Sequence, residues 1–463
     1  MSATATAIEP TGPERTALGI TFRDAVPVWS RIALMSFGGP AGQIAMMHKI
    51  LVEEERWIGE ERFLHALSYC MLLPGPEAQQ LATYIGWLMH RTRGGLVAGG
   101  LFILPGFVAI MALSFFYVLF SGASLVGAFF FGLKAAVLAI VLQALLRIAR
   151  RSLRTRAAIS LAAAAFLAMF LLSIPFPLVI AGAALVSFVV PGGWFSASAG
   201  HLAARNALAD EQSALGTGIP DHAKDHSRAL LTALVLFAAW LVPVAAIFTV
   251  AGPDDVFSKI AGFFSTMAVV TFGGAYAVLA YVAQQAVGHY HWLSAGEMLD
   301  GLGLAETTPG PLIMVTQFVG FLAGYRAATG MPPLVAGTLA AILTTWVTFV
   351  PCFVWIFAGA PFIEQLRGNA RAAATMSAVS AAVVGVIANL AAWFAIHFMF
   401  GRVTPRGFLG RAVELPDLFS VHWAALMLSA VCLVCAFALR MPTYLLLLGS
   451  SLAAAALTLL GAI

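Results

Sequence analysis

The chain has 463 residues, 61% hydrophobic and only 10% charged, with a formal net charge of +4. A water-soluble protein of this length needs far more charged surface, so the composition excludes a soluble globular enzyme and indicates an all-α polytopic membrane protein. The small positive excess gives no ground for nucleic-acid binding, because the arginines gather at the edges of apolar runs, where membrane topology accounts for them.

Residues 1–24 are polar, lack the apolar core of a signal peptide, and read as a cytoplasmic tail. Thirteen apolar segments follow, at 25–47, 63–89, 96–120, 124–146, 157–173, 176–190, 229–251, 260–287, 298–324, 334–358, 372–400, 422–440 and 443–462. Many approach or exceed the roughly 20 residues that span a bilayer. Residues 25–190 form a first unit, 191–259 a polar linker with one unpaired segment, and 260–463 a second unit. The linker carries Asp221, His222, Asp225 and His226, at a helical spacing that a metal site would also use; solvated linker residues are the simpler reading. Cys70, Cys352, Cys432 and Cys435 all sit in apolar surroundings and read as inert, so neither a metal nor a cofactor is expected.

The two units are duplicates. Phe37-Gly38-Gly39 returns 235 residues later as Phe272-Gly273-Gly274, Trp57 as Trp292, and Pro74-Gly75-Pro76 as Pro309-Gly310-Pro311. Farther on, Pro105 and Phe107 match Pro351 and Phe353, and Gln143 matches Asn389, at a spacing of 246. Segment 229–251 has no partner. Six spans return the chain to its starting side and a seventh carries it across, so the second unit enters the membrane inverted. The Lys and Arg counts favour this: fifteen fall in the inner loops and eight in the outer ones, with five arginines between 147 and 156. The loop at 48–62, placed outside, runs against the trend with three basic residues, partly offset by five glutamates.

Glycine and proline break the apolar segments at the duplicated motifs, freeing backbone groups that lipid cannot satisfy. A repeated pair of broken helices points to a transporter's binding site, because a half-helix N-terminus favours an anion. Gly38, Gly39, Gly75, Gly273, Gly274 and Gly310 are the candidate backbone positions, and Gln43, Gln79, Gln80, Thr307, Thr308 and Asn389 the candidate uncharged donors. Helix-packing polar contacts are the plainer explanation for each of those donors singly. Lys134 lies mid-segment, where a charge costs at least about 2.5 kcal/mol, so it needs a cavity, a substrate or an acid such as Glu77. Glu77 and Glu306, beside the two breaks, are candidates for proton carriage; Asp300 lies nearer a segment end and reads as interfacial.

Phe-Gly-Gly-Pro-Ala-Gly-Gln43, Leu-Leu-Pro-Gly-Pro-Glu-Ala-Gln-Gln80 and Glu-Thr-Thr-Pro-Gly-Pro311 resemble the signatures of the chromate ion transporter family, in its long two-domain form. The resemblance covers almost everything from Phe22 onward except the linker. It implies a non-enzymatic protein of the inner membrane that exports chromate and confers resistance, with lipid and a tetrahedral oxyanion as partners. Protons are candidate co-substrates, and a homodimer is left open. Sulfate, with the same charge and shape, is the nearest alternative cargo. A membrane-embedded enzyme is the rival class, against which the scatter of His48, His65, His90 and His397 weighs.

Overall fold

The computed structural model describes residues 19–71, 73–120, 122–189, 210–216, 226–272, 275–328, 330–360, 370–408 and 411–461. Sixteen α-helices lie among them. The first unit holds α1 (Phe22–Leu34), α2 (Gly39–His48), α3 (Glu60–Cys70), α4 (Glu77–Phe120), α5 (Ser124–Ser152), α6 (Arg156–Leu172) and α7 (Phe176–Val189). Then comes α8 (His226–Ala251). The second unit holds α9 (Val256–Val270), α10 (Ala275–Ala283), α11 (Ala295–Thr307), α12 (Val315–Ala327), α13 (Pro333–Gly359), α14 (Ala370–Met399), α15 (Trp423–Phe437) and α16 (Thr443–Leu459). Five helices are long and apolar enough to cross a membrane. A two-stranded antiparallel hairpin, β1 (Val403–Phe408) with β2 (Arg411–Pro416), is the departure from an all-helical chain; it sits in the polar connection between α14 and α15.

Four of the thirteen expected segments are each two half-helices. Segment 25–47 is α1 and α2, with Gly38 and Gly39 at φ of 82° and 71° between them. Helices of 13 and 10 residues rise about 20 and 15 Å, short of a bilayer's roughly 30 Å. Segment 63–89 divides between α3 and the start of α4, 298–324 between α11 and α12, with Gly75 and Gly310 at φ of 114° and 106°. Segment 260–287 divides into α9 and α10. The helix α4 then bends at His90 and Arg91, whose backbones leave helical geometry, before its long apolar stretch.

The duplication extends to the backbone. A π-helical turn follows α2 at Lys49–Glu54 and recurs after α10 at Gln284–His289, 235 residues on. Each ends on a residue of positive φ, Arg56 or His291. Each then returns a tryptophan N–H to the turn, Trp57 to the Leu51 carbonyl and Trp292 to that of Ala286, both at 2.8 Å. Trp29 against Trp57 is matched by Phe264 against Trp292. The Arg31–Glu54 ion pair at 2.8 Å and the tryptophan contact bring the end of the π-turn and the residue that follows it against α1.

The units interlock rather than sit side by side. Helix α5 packs on α14, α15 and α16, and α4 on α13. Small residues permit the approach: Gly132 lies against the backbone of Ser450 and Ser451, and Gly385 against the Ala162 carbonyl. The apolar stretch of α8 is only 11% buried, against 61% for α5 and 67% for α13, as a helix facing lipid should be.

One expected placement fails. Among the described linker residues, Ala214 N–H donates to the Arg56 carbonyl at 2.9 Å and Leu215 N–H to that of Trp57 at 3.0 Å. The Arg62 guanidinium donates to the Gly216 carbonyl at 3.0 Å. Hydrogen-bonded residues share a side of the membrane, so the 48–62 loop cannot lie opposite the linker. Its three basic residues were the anomaly in the charge count.

Candidate functional site

The breaks of one unit are satisfied by the breaks of the other. Gly310 N–H donates to the Ser36 carbonyl at 2.9 Å, and Gly75 N–H donates to the Thr271 carbonyl at 3.2 Å. Ser36 and Thr271 are equivalent positions in the repeat, as are Gly75 and Gly310, so this is a reciprocal clasp. Its packing is reciprocal too. A Cβ on Gly75 would stand 2.8 Å from Cys352 Sγ, and one on Gly310 would stand 3.1 Å from Gly106 Cα. Gly106 and Cys352 are themselves equivalents at the spacing of 246. Both positive φ values and both close approaches demand glycine.

The clasp leaves a polarity. The Ser36 and Thr271 carbonyls, just past the C-termini of α1 and α9, are bonded. Half-helices α2 and α4 start at the same tips, and α2 has no side-chain N-cap. Gly38, at its N-terminus, has no atom within 4 Å of where a Cβ would stand. A helix N-terminus without a side-chain cap, its positive dipole end beside open space, suits an anion.

Side chains around the clasp divide into those that tie it and those that face it. Gln43 Nε2 donates to the Gly310 carbonyl at 2.6 Å, and Gln80 Nε2 to the Pro74 carbonyl at 2.8 Å. Gln79 Nε2 donates to Thr83 Oγ1 at 3.0 Å. The Oε1 atoms of Gln79 and Gln80 and the hydroxyl of Thr348 are buried with no partner among the described residues. Thr307 and Thr308 donate back to the Leu304 and Ala305 carbonyls, which is ordinary helix behaviour. Half-buried Asn389 lies on α14, and no contact brings it to the clasp. Gly273 and Gly274 lie outside the described residues, as do Asp221, His222 and Asp225.

The two glutamates differ. Glu77 opens α4 directly after Pro76 and makes no hydrogen bond or ion pair among the described residues. Glu306 is 6% exposed and accepts a hydrogen bond from Tyr276 Oη at 2.8 Å. Tyr276 Oη in turn lies 3.5 Å from the Cβ position of Gly39, so Glu306 is tied to the first unit's break. Neither tyrosine nor glutamate is duplicated: their counterparts are Ala41 and Met71.

Lys134 does not pair with Glu77. Its Nζ lies 3.2 Å from Asp300 Oδ1, and Tyr117 Oη donates to Asp300 Oδ2 at 3.0 Å. Asp300 is 4% exposed. Splitting segment 298–324 at Pro309 puts Asp300 on the inward-packed face of the half-helix α11, against α5 and α4. Asp300, Tyr276 and Tyr117 are the site residues that sequence reasoning passed over. A mid-segment lysine required an acid, and that requirement was the available signal for Asp300.

The loops behind the hairpins are not alike. In the first unit, linker residues 213–216 cover the chain at Arg56, Trp57 and Arg62. At the equivalent place in the second unit there is an open cavity of about 870 Å³, lined by Asp254, Lys259, His289, His291, Glu297 and Arg326 among others. There Arg326 donates to the Trp292 carbonyl at 3.2 Å and to Glu297 Oε2 at 3.0 Å. Burial pushes the Glu297 carboxyl up, but the Arg326 guanidinium and the Ser294 N–H outweigh it and hold the group below its ordinary value.

No solved structure matches the chain. It is 33% identical over 364 residues to a chromate transport protein of Pseudomonas aeruginosa, covering 77% of each chain. It is 26% identical over 379 residues to a chromate transport protein of Cupriavidus metallidurans, covering 81% of this chain and 83% of that one. A probable chromate transport protein of Synechococcus elongatus is 28% identical over 364 residues, 78% of this chain and 81% of that one. Residues 24–188 and 258–457 both match the family described as Chromate transporter, one match for each unit. The chain belongs to the chromate transporter family.

Proposed function

We propose that the protein is a secondary transporter that carries chromate out of the cell across the inner membrane, with the clasp of broken helices as its binding site. The observation that carries this reading is the reciprocal bonding of Gly75 and Gly310, which leaves the α2 N-terminus uncapped beside open space. Gly38, Gly39, Glu77, Gln79, Gln80 and Lys134 face or border that space in this reading, while Gln43 and Gly310 hold it in shape. Outward movement of a dianion is favoured by an inside-negative potential, about 4.6 kcal/mol for two charges at 100 mV. The relatives' names leave the enzyme reading without support. Initial rates of chromate uptake into inverted vesicles test the proposal, with sulfate as competitor. Saturable uptake that excess sulfate leaves intact is the expected result; uptake of sulfate alone would reassign the cargo.

The same proposal includes an inverted repeat of residues 25–190 and 260–463, joined through the linker and α8 within 191–259, after the tail 1–24. Each unit contributes two hairpins that enter and leave on one side, the first unit's from the cytoplasm and the second's from outside. With Lys49, Arg56 and Arg62 moved inward, the basic residues divide eighteen to five instead of fifteen to eight. Glu53 and Gly288 are equivalent, exposed positions on the two loops. In intact cells a membrane-impermeant maleimide should label a Gly288→Cys variant and spare Glu53→Cys, and inverted vesicles should reverse the pattern. Labelling of both from one side would end the inverted arrangement.

A further inference from the structure

The backbone bonds of the clasp are built twice, but the polar side chains around it are not, and one charged group farther along α11 is likewise built once. Lys134 on α5, Asp300 on α11 and Tyr117 on α4 form a chain of contacts at 3.2 and 3.0 Å. The repeat places His65 opposite Asp300 and Ser380 opposite Lys134, so the charge pair has no twin. A duplicated scaffold supplies symmetric backbone; a step that differs between the two membrane faces must come from residues that break the symmetry.

The pair also bridges the units, since α11 belongs to a hairpin of the second and α4 and α5 to the first. The hairpin fits against α5 with no slack: a Cβ on Gly303 would collide with Leu133, and one on Gly296 would stand 3.4 Å from Lys134 Nζ. Asp300 is held on its other oxygen by Tyr117, so its position is fixed. Lys134 is not fixed in the same way. An ammonium has three donors, only one acceptor lies on it among the described residues, and its side chain keeps 20% of its exposure. That exposure leaves donors that an anion's oxygens would need.

We infer that Asp300, steadied by Tyr117, is the positioning residue that holds Lys134 while the site is empty and yields it to the oxyanion. This rests on the transport reading above and names how that site is charged and discharged. Removing either charge alone strands the other in a poorly hydrated place; a dianion arriving at Lys134 replaces the carboxylate without stranding anything. On release, Asp300 recaptures the ammonium and helps to expel the anion. A lysine occupied by its own carboxylate for nine-tenths of the time binds cargo about tenfold more weakly than a free one.

Chromate uptake by inverted vesicles at fixed potential, as apparent KM and maximal rate, tests this. Asp300→Asn should lower KM about tenfold and slow the maximal rate, because the anion is bound tightly and released poorly. Tyr117→Phe should move both in the same direction by a smaller factor. Lys134→Met with Asp300→Asn removes both charges, which a purely structural salt bridge tolerates; the double variant should insert at the parental level and carry no chromate. Parental flux from that double variant, or an unchanged KM in an inserted Asp300→Asn variant, would overturn the inference. If Asp300→Asn alone fails to insert, the double variant and Tyr117→Phe decide. Because the parent's flux is measured alongside, a parent that carries no chromate refutes the transport reading instead.

Discussion

Gly310→Ala should lower the melting temperature of the detergent-solubilised protein by several degrees and cut chromate flux at least tenfold, whereas Gly38→Leu should cut flux with little loss of stability. Both glycines have positive φ, and an L-residue there costs about 1 kcal/mol or more. They differ in what surrounds them. A methyl on Gly310 would press on Gly106 Cα at 3.1 Å and weaken the N–H bond to Ser36; Gly106→Ala would meet the Pro309 carbonyl at 2.8 Å and should behave alike. Gly75→Ala would press on Cys352 Sγ, the equivalent contact in the other unit. No described atom lies within 4 Å of where a Cβ on Gly38 would stand, so a leucine there is expected to fill the space proposed for the anion. Transport is therefore expected to suffer more than stability at Gly38, and both are expected to suffer at Gly75 and Gly310. Fluorescence-detected gel filtration with a thermal ramp, beside vesicle flux, separates the two effects. A Gly310→Ala protein as stable as the parent would show that the clasp contributes nothing to stability.

The class of protein, its duplication and the positions of its helix breaks were legible because they depend on composition and local backbone preference. Gly38, Gly75 and Gly310 all take positive φ, as their setting between apolar runs and prolines implied. Which break meets which was not legible. The bonds from Gly310 to Ser36 and from Gly75 to Thr271 join residues that lie far apart in sequence, and no periodicity reports them. Hydropathy also cannot tell a broken segment that crosses from one that turns back, since both need the same number of apolar residues. The contacts of Trp29 with Trp57 and of Arg31 with Glu54 set the end of the π-helical turn against α1, and no hydropathy pattern reports them. Lys134 was singled out as costly and in need of a cavity, a substrate or an acid such as Glu77. Asp300, outside any motif, holds it instead.

With Lys134 taken by Asp300, Glu77 is left without the structural role first given to it, and the strongest effect on coupling is expected there. Its carboxyl opens α4 beside the Pro74-Gly75-Pro76 break and has no hydrogen bond or ion pair among the described residues. A carboxylate at that N-terminus occupies the field that an incoming dianion needs, so the two compete unless Glu77 takes up a proton. Glu306 is different: Tyr276 donates to it and ties it to Gly39, which suits a fixed group better than a carrier. Glu77→Gln should therefore bind chromate about tenfold more tightly in the absence of a proton gradient, because a like charge has been removed. It should also flatten the dependence of the uptake rate on that gradient. Glu306→Gln should keep the gradient dependence and lose stability, and Tyr276→Phe should reproduce part of that loss. Uptake into inverted vesicles, with potential clamped and internal pH varied, measures the slope directly. A parental slope in Glu77→Gln would remove this carboxyl from the coupling step, and a flat slope in Glu306→Gln would transfer the role to the second unit.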